Sequence, residues 1–129
     1  MDKNILITGG CGFIGSEAVR FFVKKGYNVY NFDKLTYSSC TESLLNLPSS
    51  QYHFFEGDIS DKKSINSFIT NSQPLYIINF AAESHVDRSI DSPDDFINTN
   101  IIGTYTLLNE TLKYFNSLSD VQKKAFKFI

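Results

Sequence analysis

A length of 129 residues is a little less than one average domain of about 150 residues, so a single hydrophobic core is expected. Lys plus Arg number 12 against 14 Asp plus Glu, for a net charge of −2, and no basic stripe is available to neutralise a phosphate backbone, which argues against nucleic-acid binding. Apolar residues make up 42% of the chain, too many for disorder; no apolar run approaches the roughly 18 residues of a membrane span, and MDKNILITGG lacks the flanks of a signal peptide, so the cytoplasm is the expected compartment.

Short runs rich in Val, Ile and Phe alternate with longer stretches at helical spacing, the pattern of βαβ units in an α/β, doubly wound parallel sheet. Asn4 to Thr8 reads as the first strand. A turn from Gly9 to Gly15 leads into a helix in which Ile14, Ala18, Phe21 and Phe22 recur on one face, and Gly26 closes that helix. Asn28 to Phe32 is the second strand and ends at Asp33. A polar stretch from Ser38 to Gln51, with Pro48 marking a turn, precedes a short third strand, Tyr52 to Phe55. Asp61 to Thr70 reads as a helix capped by Ser60 or Asp61, and Pro74 introduces a buried strand, Leu75 to Phe80, that runs into Ala81 and Ala82.

The clearest helix start is Ser92-Pro93-Asp94-Asp95, with a capping hydroxyl, proline at the first helical position and two carboxylates at the positive end of the dipole. From there Ile97, Ile101, Tyr105, Leu108, Leu112 and Phe115 mark one face of a helix reaching about Tyr114. Ala125 to Ile129 reads as the opening of a fifth strand. Parallel sheets are covered on both faces, so the sheet is expected to be incomplete at its C-terminal side and residues 1–129 to be the N-terminal portion of a longer protein.

Gly9, Gly12 and Gly15 stand in the order G-x-x-G-x-x-G between a strand and a helix. The first glycine permits the tight turn, the second lets the backbone approach a pyrophosphate, and the third lets helix and strand pack closely, with phosphate at the helix N-terminus. Asp33 follows at the end of the second strand, about 20 residues on, where an acid meets the ribose hydroxyls of a dinucleotide. A carboxylate there accepts from the 2′-hydroxyl and repels a 2′-phosphate, which favours NAD over NADP, although the neighbouring charge of Lys34 works against that preference. No Gly-Lys-Ser/Thr follows, so this is not a P-loop. Cys11 and Cys40 lack the companions of a metal site and read as free thiols; no metal is expected.

The runs Thr8-Gly9-Gly10-Cys11-Gly12-Phe13-Ile14-Gly15, Asp33-Lys34-Leu35-Thr36-Tyr37, Gly57-Asp58-Ile59, Ala81-Ala82-Glu83-Ser84-His85-Val86-Asp87-Arg88-Ser89 and Thr99-Asn100-Ile101-Ile102-Gly103-Thr104 together resemble the extended short-chain dehydrogenase/reductase family, and within it the sugar-nucleotide 4,6-dehydratases. The resemblance implies a Rossmann-type NAD-binding domain over residues 1–129, with Phe13 and Ile14 beside the pyrophosphate, Asp33, Lys34, Leu35 and Thr36 around the adenosine ribose, and Asp58 with Ile59 along the adenine. It puts Phe80, Ala81, Ala82 and Thr99 on the nicotinamide side, Ser84 at the sugar, Glu83, His85 and Arg88 at the rim, and Asn100 in support. It further implies a nucleoside-diphosphate sugar, dTDP-glucose, as partner, conversion to a 4-keto-6-deoxy sugar, and a homodimer. The family's Thr-Asp-Glu segment, its Tyr-x-x-x-Lys pair and its substrate domain would lie beyond the position of Ile129. No catalytic residue is therefore expected in this chain, and residues 1–129 alone should be inactive. The other readings are a sugar-nucleotide 4-epimerase and a non-catalytic NAD-binding module.

Overall fold

The computed structural model describes residues 3–129. Strand β1 (Asn4–Thr8) is buried along its whole length, as expected of a parallel strand covered on both faces. It pairs with β2 (Asn28–Asp33) on one side and β4 (Tyr76–Asn79) on the other; β3 (Tyr52–Glu56) joins β2, and the two-residue β5 (Lys127–Phe128) joins β4. All pairings are parallel, and the order β3-β2-β1-β4-β5 gives an open, doubly wound Rossmann-type sheet.

Side chains alternate across β1, so Ile5 and Ile7 face one layer and Leu6 the other. The first layer packs beneath α1 (Phe13–Lys24), whose Val19 and Val23 meet Ile5, Ile7, Val29 and Ile78. The second packs beneath α2 (Lys62–Ser72) and α5 (Thr104–Ser117), joining Leu6, Phe32, Ile65, Phe68, Ile69, Ile77 and Leu107. Asp61 is the cap of α2, accepting from the backbone N–H groups of Lys63 and Ser64; Gln73 ends the helix in the left-handed conformation just before Pro74. Buried Glu110 ties α5 to α2 by accepting from Asn66 at 2.8 Å, and it also accepts from Lys113 of its own helix at 2.6 Å. Burial pushes its carboxyl pKa up, but these two donors outweigh burial and leave it below its ordinary value.

The helix faces differ from the sequence expectation. On α1 the buried residues are Gly15, Ser16, Val19 and Val23, while Ile14 and Phe21 point to solvent. The small residues let α1 approach β1 closely, and of the expected face only Ala18 and Phe22 pack, half-buried, against this layer. The single helix expected from Ser92 to Tyr114 is instead α4 (Pro93–Phe96), a π-helical segment (Ile97–Gly103) and α5, which continues to Ser117. Ser92 makes no side-chain cap. The buried side of this composite is Thr99, Gly103, Leu107, Glu110 and Thr111, so Ile97, Ile101, Tyr105, Leu108 and Leu112 form an exposed apolar stripe. Two short helices, α3 (Val86–Asp91) and α6 (Asp120–Ala125), and a 3-10 turn at Glu42–Leu44 were not legible from periodicity.

Candidate functional site

The carboxyl ends of β1, β2 and β4 open into a cleft lined by Gly9, Gly12, Asp33, Lys34, Thr36, Asp58, Ile59, Phe80, Ala81, Ala82, Glu83 and Thr99, together with Phe32, Ser38, Ser39 and Gly57. Its first wall is the glycine turn. Gly9 has φ +68, and a Cβ there would sit 2.5 Å from the Ala81 nitrogen; one on Gly15 would sit 2.1 Å from the Gly9 carbonyl oxygen. The end of β1, the segment after β4 and the start of α1 therefore touch backbone to backbone. At the start of α1 the first-turn N–H groups of Phe13, Ile14 and Gly15 have no carbonyl one turn back, and the cap residue, Gly12, offers no side chain to satisfy them. The side chains of Phe13 and Ile14 are 93% and 67% exposed, and what these two residues present at the turn is backbone N–H at the positive end of the helix.

Asp33 forms the second wall. Its side chain is fixed by two backbone donors, the N–H of Cys11 to Oδ2 at 2.9 Å and the N–H of Leu35 to Oδ1 at 2.8 Å. The second contact holds Leu35 at φ +54, a conformation that costs about 1–3 kcal/mol in a non-glycine residue and is found where a ligand wall must be shaped. Each carboxylate oxygen accepts only one of these bonds and retains capacity for a hydroxyl donor.

Lys34 crosses the cleft. Its Nζ donates to Thr99 Oγ1 at 2.9 Å and lies 3.3 Å from the Glu83 carboxylate and 3.9 Å from that of Asp58. Asp58 is oriented in turn by the N–H and hydroxyl of Ser60, both at 2.8 Å. Asn100, from the π segment, holds the Glu83 backbone at both ends: its Oδ1 accepts from the Glu83 N–H and its Nδ2 donates to the Glu83 carbonyl, each at 2.8 Å. On the opposite side Asn79 Oδ1 accepts from the Thr8 hydroxyl at 2.5 Å and from the Ala81 N–H at 3.2 Å, which fixes the chain as it leaves β4.

The expected rim residues gather around a side chain that sequence reading did not assign. The Arg88 guanidinium lies 3.7 Å over the ring of Tyr37, and His85 meets the same ring edge-on at 6.3 Å between centroids. A second hollow beside the cleft is lined by Lys34, Thr36, Tyr37, Glu83, Arg88, Ser92, Asp95 and Phe96. Ser84 and His85 are exposed next to it. Tyr37, Ser38 and Ser39 were missed as wall residues, and the signal was available: they continue without a break the Asp33–Thr36 run that leaves β2.

Behind the glycine turn, Cys11 is buried, and Asn31 Nδ2 donates to its Sγ at 3.4 Å and to the Tyr52 hydroxyl at 2.9 Å. Burial pushes the Cys11 thiol up to about 11, Asp33 adds to the rise and the Asn31 contact opposes it. An unfolded thiol loses its proton near 9.0, so between pH 9.0 and about 11 the folded state holds a proton that the unfolded state has released. Stability is fully present below that window and falls through it, by about 2–3 kcal/mol. Cys11→Ala should flatten this alkaline loss in urea unfolding curves; an unchanged slope would assign the loss to other groups.

Among the described residues no group of three or more His, Cys, Asp or Glu side chains is placed to hold a metal ion, and no helix is long and apolar enough to cross a membrane.

The family model of GDP-mannose 4,6 dehydratase matches residues 6–129. The dTDP-glucose 4,6-dehydratase of Escherichia coli is 49% identical over 126 residues, which cover 96% of this chain and 35% of that protein. Among solved structures, the dTDP-glucose 4,6-dehydratase of Streptomyces venezuelae with NAD bound superposes with a TM-score of 0.77 at 36% identity, over 85% of this chain and 36% of that one. The UDP-glucose 4-epimerase of Thermotoga maritima with UDP-glucose gives a TM-score of 0.77 at 35% identity, over 86% and 34%. The chain spans about a third of the length of the curated relatives it matches.

Proposed function

The chain belongs to the GDP-mannose 4,6 dehydratase family, and from that membership we propose that residues 1–129 are the NAD-binding portion of a nucleoside-diphosphate-glucose 4,6-dehydratase that converts dTDP-glucose to its 4-keto-6-deoxy product. The observation that carries the reading is Asp33, held at the end of β2 by the N–H groups of Cys11 and Leu35 with its oxygens beside the glycine turn. The turn itself fits a dinucleotide, because its glycines bring backbone where a Cβ would collide and leave the first N–H groups of α1 unpaired within the helix.

In this reading the N–H groups of Phe13, Ile14 and Gly15 with Gly9 and Gly12 hold the pyrophosphate, Asp33 to Thr36 hold the adenosine ribose, and Asp58 with Ile59 flank the adenine. Phe80, Ala81, Ala82 and Thr99 flank the nicotinamide side, and Ser84, Glu83, His85 and Arg88 meet the sugar. When bound, NAD supplies a hydride acceptor for the sugar and a donor for its return. Residues 1–129 contribute orientation rather than proton transfer, and by themselves they are proposed to bind NAD without turnover. Two free cysteines suit a reducing compartment, and the cytoplasm is the proposed site of action.

Calorimetric titration tests the cofactor reading: NAD should bind and NADP should bind more weakly, and heats absent for both would end it. Product analysis of the whole protein tests the reaction. A dehydratase yields a keto sugar absorbing in alkali, whereas an isomeric sugar would transfer the assignment to a 4-epimerase, a reading kept because epimerase and dehydratase structures superpose on this fold equally well.

The exposed stripe Ile97, Ile101, Tyr105, Leu108 and Leu112 is proposed as the contact between two copies, since a contiguous apolar helix face of this kind marks an interaction surface. Ile101→Asp with Leu108→Asp should halve the mass of the whole protein in sedimentation at micromolar concentration while leaving its circular dichroism unchanged. An unaltered mass would remove this face from the interface.

A further inference from the structure

Cys11 and Cys40 are the only cysteines in the sequence, and both are free. They lie on segments remote in sequence that meet at the cleft: Cys11 in the glycine turn, Cys40 directly after Ser38 and Ser39 of the cleft wall. The Cys40 N–H donates to the Cys11 carbonyl at 2.6 Å. With standard backbone bond lengths that contact holds the two Cα atoms within about 6.5 Å of each other, below the roughly 6.8 Å beyond which a disulfide does not reach. The two thiols are unequal. Cys40 is exposed, whereas Cys11 is buried against Asn31, and the charge of Cys40 is among the influences that raise the Cys11 pKa, so the sulfurs lie within electrostatic reach of each other.

We propose that Cys11 and Cys40 form an oxidation site at which hydrogen peroxide closes a disulfide, fastening the loop after β2 to the glycine turn and weakening dinucleotide binding. The exposed Cys40 thiolate attacks the peroxide O–O bond, giving a sulfenic acid and hydroxide. The Cys11 sulfur then attacks the Cys40 sulfur; the S–S bond forms, the S–O bond breaks, and the hydroxyl leaves as water with the Cys11 proton. Two thiols are oxidised and one peroxide is reduced to two waters.

The effect on binding rests on the NAD reading and follows from the position of Cys11. Its N–H is one of the two donors that fix Asp33, and a covalent bridge from its side chain to Cys40 would pull on the same turn residue, with loss of the Asn31 contact to its sulfur.

The test treats the whole protein with equimolar peroxide, maps it unreduced by mass spectrometry and titrates both forms with NAD. The expected result is a loss of about 2 Da in a cross-linked peptide joining Cys11 to Cys40, NAD affinity lower by about fivefold or more, and recovery of both on reduction with dithiothreitol. Cys40→Ser should abolish the bridge and make NAD affinity indifferent to peroxide. Sulfinic acid at Cys40 alone, or a disulfide between two copies, would overturn the pairing. A bridge that leaves NAD affinity unchanged would overturn the coupling, and a reduced protein that binds no NAD would sink the cofactor reading while the cross-linked peptide still decides the bridge.

Discussion

Gly15→Ala is expected to destabilise the protein by about 2–3 kcal/mol and to weaken dinucleotide binding by about a hundredfold. The added Cβ would meet the Gly9 carbonyl oxygen at 2.1 Å and the Gly10 Cα at 2.9 Å, and both are backbone atoms. No rotamer change relieves the contact. The turn cannot retreat either, because the Gly9 N–H is bonded to the Phe32 carbonyl at 2.9 Å and the Gly12 N–H to the Gly9 carbonyl at 3.1 Å. Helix α1 must therefore move, taking Val19 and Val23 out of register with Ile5 and Ile7 and displacing the N–H groups proposed to hold the pyrophosphate. Gly26→Ala is the internal control. Gly26 also has φ above zero, at +80, but nothing lies within 4 Å of its Cβ position, so only the backbone cost of about 1 kcal/mol applies and binding should be untouched. Equal dinucleotide affinity in the two variants would refute the close-approach account of the turn.

The same glycines mark the limit of what the sequence disclosed. Strand β1 was legible because a parallel strand buried on both faces reads as an apolar run, here Ile5 to Ile7, and β2 because Val29, Tyr30 and Phe32 make a short stretch rich in β-branched and aromatic residues. The turn and Asp33 stood out because a dinucleotide site would use those residue types at that spacing, and the structure brings them within hydrogen-bonding distance through the Cys11 N–H. Helix faces were not. Periodicity reveals that an apolar stripe exists and says nothing of what covers it. On α1 the covered face is the one with small residues, Gly15 and Ser16, which close approach requires. On the composite helix the covered face includes, beside Leu107, the polar residues Thr99, Glu110 and Thr111, which are buried with partners on Lys34, Asn66 and Lys113 or simply packed in, while Ile97, Ile101, Ile102, Leu108 and Leu112 face outward. The π segment adds a second obstacle, since a backbone bonded to the fifth residue on breaks the 3.6-residue phase across Ile97–Gly103. The stack of Arg88 on Tyr37 was invisible for a different reason: it joins α3 to the loop after β2, and no local rule pairs residues that far apart.

Asp33→Asn should lower NAD affinity and reduce the preference for NAD over NADP by about tenfold or more, and the size of that change depends on Lys34. The asparagine preserves the shape of the side chain, but it removes the charge that repels a 2′-phosphate and replaces one acceptor oxygen with a donor facing the N–H of Cys11 or Leu35. One buried N–H then loses its partner, at a cost of about 1–3 kcal/mol in stability. Lys34 would be the natural counter-charge for a 2′-phosphate, yet its ammonium is engaged by Thr99, Glu83 and Asp58. Asp33→Asn alone therefore removes the repulsion without supplying attraction. Adding Glu83→Gln loosens Lys34 from its nearest carboxylate, so the double variant should gain NADP affinity beyond the sum of the single changes, because the two residues act through one cation. Calorimetric titration of the four proteins with both dinucleotides measures the cycle. Strict additivity would show that Lys34 does not reach the 2′ position, and unchanged selectivity in Asp33→Asn would take the ribose-reading role away from Asp33 itself.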